Sequence, residues 1–270
     1  MPTESRNTAT IAVIGDVHGH VGLALDKLRK IEEASGPLSC VFQVGDFMLC
    51  TEPGDWDSVA VPQRHRRPEL TPAIAAAWQA WPWPTAMIGG NHDAYARLRR
   101  FDHHGWRGKL TYTDAGRLDH PVKGLQVVGL SGIYSESQYG EGYGGARQSG
   151  GAAPQSWSEM LRGGPVKPKK LTYYRQSEIE TLLREPKHPH ILLTHDWPIR
   201  APVHKLKDMP HFGLLPALQP EWAFAGHLHT YEEQQIGRTR FIGIADVTAP
   251  ADQWCVLLRW DGRNLERIRL

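Results

Sequence analysis

Five times along this chain a short apolar run stops at a small residue and is followed at once by Asp, Asn or His. The stops are Ile14-Gly15-Asp16, Val44-Gly45-Asp46, Ile88-Gly89-Gly90-Asn91, Leu193-Thr194-His195 and Ala225-Gly226-His227. Such short apolar runs, bounded by turn residues, read as buried strands. Between the first three stops lie two segments with helical character. Val21 to Ala34 carries Leu25, Leu28 and Ile31 on one face and ends before Gly36-Pro37; Thr71 to Trp81 has Pro72 at its start. Strand, turn, helix and strand in this order predict βαβ units and parallel strands. The carboxyl ends of parallel strands open onto a shared crevice. Five motifs far apart in sequence are therefore predicted to converge.

The remaining strands are predicted over Leu125–Leu130, Arg240–Ala245 and Trp254–Trp260, the last two antiparallel, with Leu265–Leu270 as a final edge. Arg175–Arg184 reads as a short amphipathic helix. From residue 134 to 168 the chain is rich in Gly, Ser, Gln and Pro with no stable period, and is read as a substrate loop. The polar residues 1–9 are read as a disordered tail. No repeat or linker interrupts the rest, so residues 10–270 are expected to form a single α/β domain.

Composition sharpens the reading at three points. The net charge of +2 is too mild to imply nucleic-acid binding from totals alone. No apolar run reaches eighteen residues and no signal segment opens the chain, which predicts a cytoplasmic protein with no membrane contact. Cys40, Cys50 and Cys255 have no metal-knuckle spacing and are expected to be inert core thiols in a reducing compartment. The fourteen histidines are the unusual feature, and several stand beside Asp, Gly or Asn.

With histidines in four of them, the five stops read Asp16-Val17-His18, Gly45-Asp46, Asn91-His92-Asp93, His195-Asp196 and His227-Leu228-His229. Any one of them alone reads as a turn or a satisfied histidine. Five at strand ends, all with ligand-type side chains, point to metal. Carboxylates, imidazoles and an amide oxygen suit Mn, Fe or Zn. Two divalent cations about 3.5–4 Å apart can clamp the attacking and leaving oxygens of a phosphoryl displacement. A carboxylate shared between them would screen their repulsion. A water bridging them has a lowered pKa and becomes the nucleophile near neutral pH.

In this order the motifs resemble the calcineurin-like metallophosphoesterases. The resemblance, over residues 10 to 245, implies a four-layer αββα sandwich with two mixed β-sheets. It implies two divalent metal ions, one held by Asp16, His18 and His229, the other by Asn91, His195 and His227, with Asp46 bridging. It also implies that His92 stays off the metals and donates a proton to the leaving oxygen or stabilises its charge, with Asp93 orienting the imidazole.

Further blocks resemble one branch, the RNA lariat debranching enzymes: Gly45-Asp46-Phe47, Gly90-Asn91-His92-Asp93-Ala94, Ser131-Gly132-Ile133-Tyr134 and His195-Asp196-Trp197-Pro198. Asp16 departs from that branch, which typically carries Cys there, and Asp93 stands where Glu is usual. The branch implies a phosphodiesterase acting on a nucleic-acid or nucleotide substrate. Arg64, Arg66, Arg67, Arg97, Arg99, Arg100, Arg107 and Lys109 would supply a basic rim, as would Lys167, Lys169 and Lys170. Arg97 and Arg100 are the arginines singled out for substrate. Tyr134, Tyr139, Tyr143 and Trp157 could stack on bases. Trp78, Trp81 and Trp83 are read as core, and Trp197 as a wedge fixing the His195 loop. A second reading is a phosphomonoesterase or a protein or dinucleoside-polyphosphate phosphatase, although Phe47-Met48-Leu49 stands where those families place Asp-Arg-Gly. A third is a metal-supported binding scaffold without activity. Oligomeric state is left open.

Overall fold

In the strand Ala9–Ile14 (β1), successive side chains face opposite sides, and both sides are buried: Ile11 and Val13 on one, Ala12 and Ile14 on the other. A strand covered on both faces needs a layer above and a layer below, and that requirement sets the architecture. The computed structural model describes residues 8–98, 109–139, 167–200 and 209–269. The proposed tail over 1–9 lies outside them up to residue 7, and β1 begins at Ala9.

The first sheet contains β1, Cys40–Gln43 (β2), Thr85–Ile88 (β3), Leu110–Thr113 (β4), Cys255–Trp260 (β11) and Leu265–Ile268 (β12), in the order β12-β11-β1-β2-β3-β4. Strands β1 to β4 are parallel; β11 runs antiparallel to β1, and β12 to β11. The second sheet contains Ala115–Arg117 (β5), Val127–Leu130 (β6), Ile191–Thr194 (β7), Trp222–Ala225 (β8), Glu232–Ile236 (β9) and Thr239–Gly243 (β10), in the order β5-β6-β7-β8-β10-β9. Here β6, β7, β8 and β10 are parallel, and the edges β5 and β9 are antiparallel to their neighbours. Both sheets are mixed, as expected.

Three apolar clusters separate the layers. Ile11, Val13, Phe42, Val44 and Ile88 of the first sheet meet Leu193, Phe224 and Ile242 of the second. On the outer face of the first sheet, Ala12, Ile14 and Met87 pack against Ala24 and Leu28 of the helix Val21–Ser35 (α1) and against Ile74 and Trp78 of Thr71–Gln79 (α2). On the outer face of the second, Leu192, Ala223 and Phe241 pack against Ile179 and Leu182 of the helix Gln176–Leu183 and Leu214 and Leu218 of Leu214–Leu218. The result is helix, sheet, sheet, helix. Trp78, Trp81 and Trp83 are buried together, as the sequence suggested, and all three thiols are free and buried. No helix among the described residues is long and apolar enough to cross a membrane.

Three expectations need correction. The strand at 239–243 does not pair with the strand at 255–260: β10 lies in the second sheet, parallel to β8, and β11 lies in the first. Strands β4, β5 and β9 were not foreseen. β9, Glu-Glu-Gln-Gln-Ile, has no apolar alternation because it is an edge strand with no fully buried residue, only Ile236 touching the core. Short helices, Glu136–Tyr139 and Pro168–Leu171, form at the two ends of the proposed 134–168 loop; residues 140–166 of that loop lie outside the described residues.

Candidate metal centre

Each candidate ligand follows the carboxyl end of a parallel strand: Asp16 and His18 after β1, Asp46 after β2, Asn91 after β3, His195 after β7, and His227 and His229 after β8. The turns are tight. His18, Asp46, His227 and His229 have φ of 48°, 56°, 66° and 52°, in the left-handed region that side chains other than glycine enter at a cost of about 1–3 kcal/mol each. Such strain persists only where surrounding contacts impose it. Gly226 marks how closely the strands approach: a Cβ there would stand 2.1 Å from Asp16 Oδ1.

The side chains form two adjoining clusters. In the first, His229 Nε2 lies 3.0 Å from Asp16 Oδ2 and 2.9 Å from His18 Nε2, and His18 Nε2 lies 3.6 Å from Asp16 Oδ2. In the second, His195 Nε2 lies 3.3 Å from Asp46 Oδ2 and 3.0 Å from Asn91 Oδ1, with the His227 ring centred 5.1 Å from that of His195. Asp46 Oδ2 is also 3.9 Å from His18 Nε2, so one carboxylate oxygen faces an imidazole of each cluster. Its other oxygen, Oδ1, accepts the His92 backbone N–H at 2.6 Å. Ligand atoms of Asp16, His18 and His229 fall within 4.8 Å of one another, as do those of Asp16, Asp46 and His195, so Asp16 borders both clusters.

The charge balance fits divalent cations. Asp16, Asp46 and His195 are fully buried or nearly so, and burial opposes charge on all three. For Asp46 that penalty is overcome by His195, which holds its carboxyl far below the usual range, while Asp46 in turn lifts the His195 imidazole to about 10. Asp16 is likewise held down by hydrogen bonds with His18 and His229 against the effect of its burial. A buried carboxylate pair that borrows protons from its neighbours is a site a divalent cation can occupy, displacing those protons. The tautomers suit this. His195 Nδ1 faces the Val44 carbonyl at 2.9 Å, leaving Nε2 for the site.

His92 stands at the rim, its ring centred 5.3 Å from that of His18 at 77°. Burial holds its pKa below the ordinary histidine value, so the neutral imidazole prevails near pH 7. Asp93 does something other than orient that ring. Its buried carboxylate accepts three backbone N–H groups: Asp46 at 2.8 Å, Met48 at 2.6 Å and Gly90 at 2.8 Å. Burial, and Asp46 beside it, push its carboxyl up to about 7 against the pull of those donors. Asp93 therefore clamps the Asp46 loop onto the Gly90-Asn91 turn.

Two further expectations are corrected. The Arg97 guanidinium does not face the site. It lies 3.0 Å from both oxygens of Asp55 and 3.0 Å from Glu52, which anchors the 3₁₀ turn Pro53–Ser58. The basic rim is also thinner than proposed. Arg66 pairs with Asp57 and Arg67 with Glu69. Lys109 donates to the Trp81 carbonyl ahead of β4, at the opposite end of the sheet from the ligands. Arg99, Arg100, Arg107, Tyr143 and Trp157 lie outside the described residues.

Tyr134 and Tyr139 are half-buried with ring centroids 5.6 Å apart, and both contact Tyr174, whose hydroxyl is hydrogen-bonded to His211 Nδ1. The Tyr134 N–H donates to Asp196 at 3.2 Å, which joins this aromatic group to the His195 turn. Trp197 is the wedge that was expected: its Nε1–H donates to the Gly226 carbonyl at 2.8 Å, tying two ligand turns together. Sequence reasoning missed Asp246, whose Oδ2 lies 3.7 Å from His229 Nδ1. It stands in no recognisable motif, after a strand of its own.

Comparison with known proteins gives the family and the fold. The family profile for calcineurin-like phosphoesterases matches residues 9–231. The chain is similar to the lariat debranching enzyme of Mus musculus, at 25% identity over 248 residues covering 81% of this chain and 41% of that protein. The lariat debranching enzyme of Saccharomyces cerevisiae is 25% identical over 240 residues, 81% of this chain and 56% of that protein. The chain thus spans about half the length of the curated relatives it matches. Among solved structures, TT1561 of Thermus thermophilus shares the fold with a TM-score of 0.51 at 15% identity, over 97% of this chain and 99% of that one. The chain belongs to the calcineurin-like phosphoesterase family.

Proposed function

We propose that this chain is a dinuclear metal-dependent phosphodiesterase acting on a nucleic-acid or nucleotide phosphodiester, a 2′,5′ branch included. The observation that carries the dinuclear reading is Asp46 Oδ2, 3.3 Å from His195 Nε2 and 3.9 Å from His18 Nε2. Asp16, His18 and His229 would hold one ion, Asn91, His195 and His227 the other, with Asp46 placed to serve both. When bound, the ions supply Lewis-acid polarisation of the phosphoryl oxygens and an activated water. The chain's own residues do the rest. Asp93 holds the Asp46 backbone N–H, and the His92 N–H holds one oxygen of the Asp46 carboxylate. The neutral His92 imidazole would offer its N–H as a hydrogen bond that stabilises charge developing on the leaving oxygen. Tyr134 and Tyr139, beside the His195 turn, offer faces to a base next to the scissile phosphate.

The preference for a diester rests on the similarity to proteins named lariat debranching enzymes and on those aromatic faces. It is tested by measuring turnover of a generic phosphodiester, a generic phosphomonoester and a 2′,5′-branched RNA with added Mn²⁺. Faster turnover of either diester supports the proposal, and a strong preference for the monoester overturns it. Asp46→Ala should release both ions together; release of one alone would refute its bridging place.

A further inference from the structure

We propose that Asp246 is a positioning residue for one of the two metal sites, acting through the second nitrogen of His229; this rests on the metal-centre reading above. His229 turns Nε2 toward Asp16 and His18, and its Nδ1 faces Asp246 Oδ2 at 3.7 Å. The carboxylate is aimed. Its other oxygen accepts the Thr248 N–H at 2.7 Å and the Thr248 hydroxyl at 2.5 Å, which leaves Oδ2 for the imidazole. At 3.7 Å the carboxylate sits at ion-pair range of Nδ1, where its charge favours the proton on that nitrogen and leaves the Nε2 lone pair toward the cation site.

The loop that carries Asp246 is fixed to the same site from behind. The Val247 N–H donates to the Asp16 carbonyl at 2.8 Å. Lys27 of α1 donates through Nζ to the carbonyls of Val247 at 2.7 Å and Ala249 at 2.5 Å. The Ala245 carbonyl lies 2.0 Å from where a Cβ on Gly15 would stand, so the loop rests directly against the turn that presents Asp16. One short segment thus sets the backbone of one ligand and the ring of another, both in the first cluster. The second cluster is built differently: His195 Nδ1 faces a backbone carbonyl, which no side-chain substitution removes.

The test is Mn²⁺ binding to the full chain by titration calorimetry, with metal content after dialysis, for wild type, Asp246→Ala, Asp246→Asn, His229→Ala and the Asp246→Ala/His229→Ala pair. Asp246→Ala should weaken one of the two ions by about 10–100-fold and leave the other unchanged. Asp246→Asn, whose single oxygen is claimed by the Thr248 N–H and hydroxyl and whose amide N–H groups then face Nδ1, should lose as much as Asp246→Ala. The double variant should bind no more weakly than His229→Ala, because both act through one imidazole. The melting temperature of the metal-free protein should fall by no more than about 5 °C, the share of the two exposed Thr248 hydrogen bonds. Unchanged affinity at both ions in Asp246→Ala, or equal loss at both with a larger fall in the metal-free melting temperature, overturns the proposal. A wild type that binds fewer than two ions would instead overturn the metal-centre reading on which it rests.

Discussion

Replacing Asp93 with Ala separates two accounts of that residue by measurement. The Asp93 carboxylate is 1% exposed and accepts the N–H groups of Asp46, Met48 and Gly90 at 2.6–2.8 Å. Removal leaves three buried donors without an acceptor, each costing about 1–3 kcal/mol. Two of those donors belong to residues at positive φ, Asp46 at 56° and Met48 at 55°. Part of the cost is recovered as that loop relaxes, which moves Asp46. The expected loss is about 3–6 kcal/mol, or about 10–20 °C in melting temperature for a domain of this size. Asp93→Asn keeps one acceptor oxygen and should lose only about 1–3 kcal/mol. The assay is thermal and denaturant unfolding of the metal-free protein, with Mn²⁺ content after reconstitution. Asp93→Ala should bind neither ion well, because the displaced Asp46 serves both sites. A variant with wild-type stability and two bound ions, defective only in turnover, would refute the clamp and restore a direct partnership between Asp93 and His92.

Arg97→Met should destabilise the protein by about 3–5 kcal/mol, since it strips a buried pair and leaves Asp55, whose side chain is 8% exposed, uncompensated. KM should hold in whatever folds, and a raised KM at full stability would return Arg97 to the substrate. His120 packs edge-on against Phe42, its Nδ1 accepts the Val122 N–H, and burial lowers its pKa to about 4. The folded value lies below the unfolded one of about 6.5, so its contribution is complete above pH 6.5 and is lost as pH falls toward 4. Between pH 7.5 and 5.5 the wild type should lose roughly 1 kcal/mol relative to His120→Gln. Parallel denaturation curves for the two proteins would contradict this. His92→Ala should keep both ions and lose turnover by about 10²–10⁴-fold; loss of metal content in that variant would make His92 a ligand instead.

The parallel strands and the convergence of the ligand motifs were legible in the sequence because both follow from local rules, whereas the four layers were implied by the family resemblance. Short apolar runs stopped by Gly15, Gly45, Gly90 and Gly226 can only be buried strands ending in sharp turns, and parallel strands bring such ends together. The roles of acidic and basic side chains were not legible, because a charge takes its partner from whatever the fold sets beside it. Asp93 follows His92 in sequence, yet its oxygens meet the amides of Asp46 and Met48, carried there by another strand. Arg97 follows the same motif but turns to Asp55. Asp246 has no motif at all, and only the return of β10 beside β8 delivers it to His229. The edge strand β9 was invisible for a related reason: with no fully buried residue it has no apolar period, and it is recognised by its backbone pairing to β10. The sequence determined which residues could bind metal; the tertiary structure decided which groups hold them in place, since that depends on contacts between residues as far apart as Asp16 and Val247.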